Sequence, residues 1–205
     1  THPDINGAGI SIVQSRTEPF SQTPADGIAE LPPGQATQDY GVNGTVFALT
    51  NTQDGKYVYA GGDFTRAGYV AASRIARWNT LTSAWENIGG DLPGTVRSLV
   101  AIESNGSWKV YAGGSFGIRV YTESTGTWQS IVTLDSGSVL ALDYSTKNRL
   151  YFGGDFVLGG ITGIAYYDLD TNTVVDIGSV SGGEARVNDI ARITISDTMM
   201  VVGNF

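Results

Sequence analysis

The chain has 205 residues, of which 28 are glycine, 41% are hydrophobic and 16% are charged, and its formal net charge is -8. That charge, with no basic run, argues against nucleic acid as a partner, and no apolar segment approaches the roughly 20 residues of a membrane span. The absence of cysteine excludes disulfides, thiol nucleophiles and thiolate metal sites.

Short apolar runs rich in Val, Ile and Tyr alternate with clusters of Gly, Ser, Thr and Asn, which describes many short strands and tight turns. The expected class is all-β. Near the amino terminus, Ile10 and Phe20 bracket a hairpin-like stretch. Residues 21–43 follow, with Pro24, Pro32 and Pro33, and are expected to be a surface loop or insertion.

A repeat then begins. Residues 57–64 read Tyr-Val-Tyr-Ala-Gly-Gly-Asp-Phe, and the pattern returns at 109–116 and 149–156, and more loosely at 198–205. Each copy follows a strand that opens on a valine. These valines, Val46, Val96, Val139 and Val187, are spaced by 50, 43 and 48 residues. After each of the first three copies comes a second hairpin, from Ile75 to Trp85, Ile118 to Trp128 and Ile164 to Val174, each pair ten residues apart with turn formers between. A strand-only period of about 40 to 50 residues marks a β-propeller with one four-stranded antiparallel blade per repeat.

The segment from Ile10 to Phe20 has the same ten-residue offset, so it matches an outer hairpin without its inner one, and residues 187–205 are the complement. This predicts a single domain over 1–205 with about four repeats, closed into a ring by termini that share one blade. The rival expectation is a fragment of a longer propeller array.

Glycine pairs inside strands are costly, so Gly61–Gly62, Gly113–Gly114 and Gly153–Gly154 imply close backbone approach where blades crowd, with Gly203 as the last equivalent. Phe64, Phe116, Phe156 and Phe205, which end the motif, and Trp85 and Trp128 are expected to pack between blades. Trp78 also falls on the repeat pattern and is expected in the core.

The unit of Gly-x-Val strand, Tyr-x-x-Gly-Gly-Asp-Phe, Ile-Ala-Arg-Trp-Asn and closing Trp resembles the kelch-like propeller repeats of surface, phage and giant-virus proteins. It is also similar to the repeats of the fungal cortical polarity-marker family, whose extracellular part carries a Gly-Gly-Asn-Phe-Thr pattern. The resemblance covers 44–205, and 1–22 if the split repeat holds. It implies the fold; propellers host many unrelated activities. The copper-radical oxidase chemistry of some kelch propellers needs Cys and His, and this chain has no Cys and only His2.

Candidate chemistry is sparse. Asp63 and Asp155, with Ser115 and Asn204 at the equivalent places, read as turn residues that bind nearby backbone amides, or as ligands around a channel. Asp168, Asp170, Asn172 and Asp176 resemble the start of a calcium loop. Thr173 and Ser179 stand where such a loop needs its glycine and its bidentate glutamate, so a plain hairpin turn is favoured and no metal is expected. No Gly-x-Ser-x-Gly elbow occurs, and no cofactor is implied. Paired carboxylates for glycoside hydrolysis remain an alternative among the 20 acidic residues.

Trp108 leaves the pattern, because its repeat partners are Lys56, Asn148 and Asp197. It is expected either as an exposed platform for a sugar or protein partner or as cover for a blade edge. Asn43 and Asn105 begin acceptor sequences for N-glycosylation. Together these features describe a non-enzymatic recognition scaffold for protein or glycan, outside the cell or on a cell or virion surface. The alternatives are a structural part of a fibre or capsid assembly and a glycan-active enzyme.

Overall fold

The computed structural model describes residues 41–89, 92–178, 186–193 and 198–204. These residues form strands and connections, with no helix among them. The first sheet is built from β1 (Thr45–Asn51) and β2 (Tyr57–Asp63), then, after a small side hairpin of β3 (Arg66–Ala67) and β4 (Val70–Ala71), from β5 (Ile75–Asn79) and β6 (Ala84–Glu86). Its order is β1-β2-β5-β6, so the long connection after Phe64 is not bare loop but carries β3 and β4.

The second sheet runs β7 (Val96–Ser104), β8 (Ser107–Gly114), β9 (Gly117–Thr122), β10 (Thr127–Val132), and the third β11 (Val139–Ser145), β12 (Arg149–Leu158), β13 (Ile161–Asp168), β14 (Thr173–Asp176). A fourth begins with the pair β15 (Arg186–Ile193) and β16 (Thr198–Asn204). All pairings are antiparallel. Each sheet is one blade of a propeller, and the innermost strands β1, β7, β11 and β15 stand side by side in that order. The expected hairpin from Ile10 to Phe20, residues 21–40 of the loop expected over 21–43, and Phe205 lie outside the described residues, and so does the shared-blade closure built on them.

Apolar faces of successive blades meet in continuous seams. Tyr57, Tyr59 and Ile75 of blade 1 join Val96, Leu99 and Val110 of blade 2. Tyr111, Ile118 and Val120 join Val139, Leu150 and Phe152 at the next seam, and Ala141 and Ile164 join Val187 and Ile190 at the third. Complete burial of a side chain of this size stabilises by about 1.5–3 kcal/mol.

The glycine pairs divide their work. A Cβ on Gly61 would overlap Val96, one on Gly113 would overlap Val139, and one on Gly153 would overlap Val187, each in the following blade. The second glycine of each pair faces its own blade: Cβ atoms on Gly62, Gly114 and Gly154 would meet the carbonyl oxygens of Thr45, Thr95 and Ser138. Bare Cα atoms therefore seat the repeated valines and allow each inner strand to draw close. At the place of the first glycine the fourth copy has Val202, which is 60% exposed, followed by Gly203.

Phe156 is buried in the seam between blades 2 and 3, 5.0 Å from the Phe152 ring, and Phe116 packs on the seam between blades 1 and 2. Phe64 is buried on the other face of blade 1 with Val42, Ala60 and Trp85. Trp128 packs on the seam between blades 1 and 2, whereas Trp85 does not reach a seam between described blades and stacks edge-on with Trp78 at 5.5 Å.

Candidate binding site in the central cavity

In every blade the register between the first two strands slips directly after the repeated valine: at Val46/Ala48, Val96/Ser98, Val139/Ala141 and Val187/Asp189. The residue left out of register is Phe47, Arg97, Leu140 or Asn188. A bulge of this kind re-aims a side chain and is common beside functional sites. Here the four bulged residues line one cavity of about 520 Å3, with Leu49, Leu142, Arg186 and Asp189 among its other lining residues. That volume falls in the range of small-molecule pockets.

The repeat makes these four places differ while their neighbours stay alike. Phe47 and Leu49 are 45% and 55% exposed, unusual for large apolar side chains on an inner strand. The Arg97 guanidinium lies over the Phe47 ring, 4.3 Å from its centroid, which ties a blade 2 cation to a blade 1 aromatic. Arg186 is exposed, and neither arginine has an ion-pair partner among the described residues. Asp189 turns an oxygen back to accept from the Ile190 N–H at 2.8 Å. Ser98, beside Arg97, is buried with its hydroxyl unpartnered.

Trp108 is not the exposed platform that one sequence reading allowed. It is a buried residue of β8, its exposure only 9%, and it faces the blade 1–2 seam because β8 alternates between seams. Among the groups that hold the Asp54 carboxyl of the β1–β2 turn below its ordinary range are the Thr52 hydroxyl, the Lys56 N–H at 3.1 Å and, as a smaller influence, the Trp108 indole. Trp108 is a tie between blades.

The same seam holds a polar cluster. The Arg77 guanidinium donates to Glu86 at 2.6 Å, contacts Glu123 at 3.5 Å and stacks 4.1 Å from the Tyr57 ring centroid. Asn79 donates to the second Glu86 oxygen at 2.8 Å. Burial alone would raise the Glu86 carboxyl; the Asn79 and Arg77 bonds outweigh it and hold the group below its usual value. Burial pushes the neighbouring Tyr59 hydroxyl up to about 12, partly offset by Arg77. Within the cluster the Arg77–Glu123 contact reaches from blade 1 to blade 2, while the Tyr59 hydroxyl is buried without a hydrogen-bond partner.

The weak metal candidates serve turns. Asp168 accepts from the Asp170 and Thr171 N–H groups, both at 3.0 Å, and Asp170 accepts from the Asn148 carboxamide at 2.9 Å. Asn172, in the left-handed region at φ 57°, accepts from the Tyr167 hydroxyl. The Asp155 carboxylate accepts from the Ser138 N–H at 2.8 Å, a side-chain-to-backbone bond within its blade. Asn43 is an exposed cap: its carboxamide oxygen accepts from the Thr65 and Arg66 N–H groups. Asn105 sits at the exposed β7–β8 tip with Gly106, both at positive φ, as a two-residue hairpin requires.

The bulged residues were missed by motif reading, although a signal exists. In Val-Phe-Ala-Leu, Val-Arg-Ser-Leu, Val-Leu-Ala-Leu and Val-Asn-Asp-Ile the place after the valine is the one that never recurs.

Residues 32–119 match the family model described as the Rax2 C-terminal beta propeller domain. No curated protein gives a significant match. Among solved structures, the extracellular domain of BT4673 from B. thetaiotaomicron is similar at TM-score 0.56 and 17% identity, over 78% of this chain and 20% of that one. The WD40 repeats of RRP9 are similar at TM-score 0.52 and 12% identity, and U3-55K at 0.51 and 14%, each over 76% of this chain. The chain spans about half the length of those two, at 50% and 51%. Identities this low speak for fold alone. The family match and the structural likenesses agree with the four-stranded antiparallel sheets in assigning the chain to the β-propellers.

Proposed function

We propose that this chain is a non-enzymatic recognition scaffold, displayed outside the cell or on a surface, that takes a protein partner at its central cavity. The carrying observation is that four inner strands each bulge at one non-repeated residue and turn it towards the same space. Rigid blades with individual side chains at one mouth suit selective binding. The extracellular domain among its structural likenesses and the surface polarity-marker family behind the matched propeller model support the placement.

A protein partner is preferred over a glycan because the aromatic expected to stack on sugar, Trp108, is buried, while the cavity offers aliphatic side chains and arginine. The test is selection from a displayed peptide library against the 205-residue chain, beside a glycan array. Enriched peptides whose binding falls in Phe47→Ala support the reading; glycan binding without peptide binding overturns it.

A structural role in an assembly is the second reading. It is favoured by apolar Met200 and Val202, 55% and 60% exposed on β16. Concentration-dependent association in sedimentation, lost in Met200→Ser with Val202→Ser, would support it.

A further inference from the structure

We infer that the cavity is built for an acidic peptide segment carrying one bulky apolar residue. This inference rests on the recognition reading above and names its ligand chemistry. Following the inner strands in order, the bulged residues are aromatic Phe47, cationic Arg97, aliphatic Leu140 and polar Asn188, the last with Arg186 two residues earlier on β15. Apolar and cationic contributions thus alternate from blade to blade.

Two features give the arginines a ligand role. The chain carries 20 acidic against 12 basic residues, so a carboxylate is an abundant internal partner, yet Arg97 and Arg186 have none among the described residues. Arg77 shows the contrast: its guanidinium is closed by two glutamates and is no longer available. Arg97 is also held in place before any ligand arrives, because its plane rests over the Phe47 ring. An arginine ordered this way loses little freedom when it receives a carboxylate, and its fork binds one with two parallel hydrogen bonds. The one lining carboxylate, Asp189, is partly engaged by the Ile190 N–H.

The apolar requirement comes from Phe47, Leu49, Leu140 and Leu142, which line the cavity, the first two largely exposed and the leucines of β11 only partly buried. Their burial by a ligand side chain is the hydrophobic part of binding, and the arginines supply orientation. A neutral glycan would satisfy neither set, since it brings no charge for the guanidinium groups and little apolar surface for the leucines.

The experiment uses the whole chain and a fluorescein-labelled peptide, Asp-Glu-Leu-Glu-Asp with blocked ends, read by anisotropy at low and physiological salt. Two comparison peptides replace the acidic residues by Lys, or the Leu by Ser. The acidic peptide binds, its affinity falls as salt rises, the Lys peptide does not bind, and the Ser peptide binds about tenfold more weakly. Arg97→Gln and Arg186→Gln each lower affinity about tenfold, as loss of a charged hydrogen-bond donor does. Phe47→Ala lowers it through both ring and arginine, and Arg66→Gln on β3 leaves it unchanged. Thermal midpoints of all variants stay near the parent, so loss of binding is not loss of fold. Equal binding of the Lys peptide, or an acidic peptide indifferent to both arginine variants, overturns the inference. If library-selected peptides are neutral yet depend on Phe47, the acidic ligand class fails while the recognition site stands. If no peptide of any class binds, both fail.

Discussion

Val139 of blade 3 rests against the bare Cα of Gly113 in blade 2, and the same contact joins Val96 to Gly61 and Val187 to Gly153. The two repeated motifs, the valine that opens an inner strand and the first glycine of the pair, are the two halves of one joint. A side chain on the glycine leaves the valine nowhere to go. Gly113→Val is therefore expected to lower stability by about 3 kcal/mol or more, at the upper end of core overpacking. Urea unfolding checks this, and an unchanged midpoint would refute the joint. Gly62→Val should be comparably damaging for a different reason, the Thr45 carbonyl in its own blade.

The Arg77–Glu86 clamp, which joins β5 to β6 within blade 1, predicts acid-sensitive stability in that blade. Because the folded-state Glu86 carboxyl is held below its ordinary value of 4.5, its contribution to stability is complete above that value and disappears as pH falls through the lowered one. The thermal midpoint of Glu86→Gln should lie below the parent near neutral pH, by about 1 kcal/mol of stability for a half-exposed charged bond. The difference should narrow in acid. Parallel curves at all pH values would contradict the clamp.

Trp108 should behave as a core tie. Trp108→Ala is expected to cost about 3–5 kcal/mol as a large truncation. Trp108→Phe, which keeps most of the packing, should cost much less, as other near-volume-conserving core swaps do. Denaturant unfolding distinguishes the two. A stable Trp108→Ala protein that had lost sugar binding would restore the exposed-platform reading.

Exposure separates site from scaffold among similar residues. Phe47→Ala and Leu49→Ala should change stability by no more than about 0.5 kcal/mol. Leu99→Ala, one repeat later and 7% exposed, should cost about 2–5 kcal/mol. Thermal melts of the three variants check the contrast; equal losses would place Phe47 and Leu49 in the core.

What sequence alone could determine is whatever repeats. Spacing of valines, glycine pairs and second hairpins specifies all-β blades and their strand order, because every copy must solve the same packing problem with the same residue types. The missing calcium-loop glycine and glutamate pointed to a plain hairpin turn at Asp168, whose side chain accepts from the Asp170 and Thr171 N–H groups, whereas Asp155 sits inside β12 and bonds the Ser138 N–H across the blade. Repetition was silent on which neighbour each glycine meets, since one contact runs between blades and the other within a blade. It also left open two places for Trp108, the tryptophan that leaves the repeat pattern. Tertiary structure put that indole in a seam, and it brought Phe47, Arg97, Leu140 and Asn188 together from positions scattered along the chain. Their meeting depends on a bulge in each inner strand and on the blades' arrangement about one cavity, a geometry that strand periodicity does not encode.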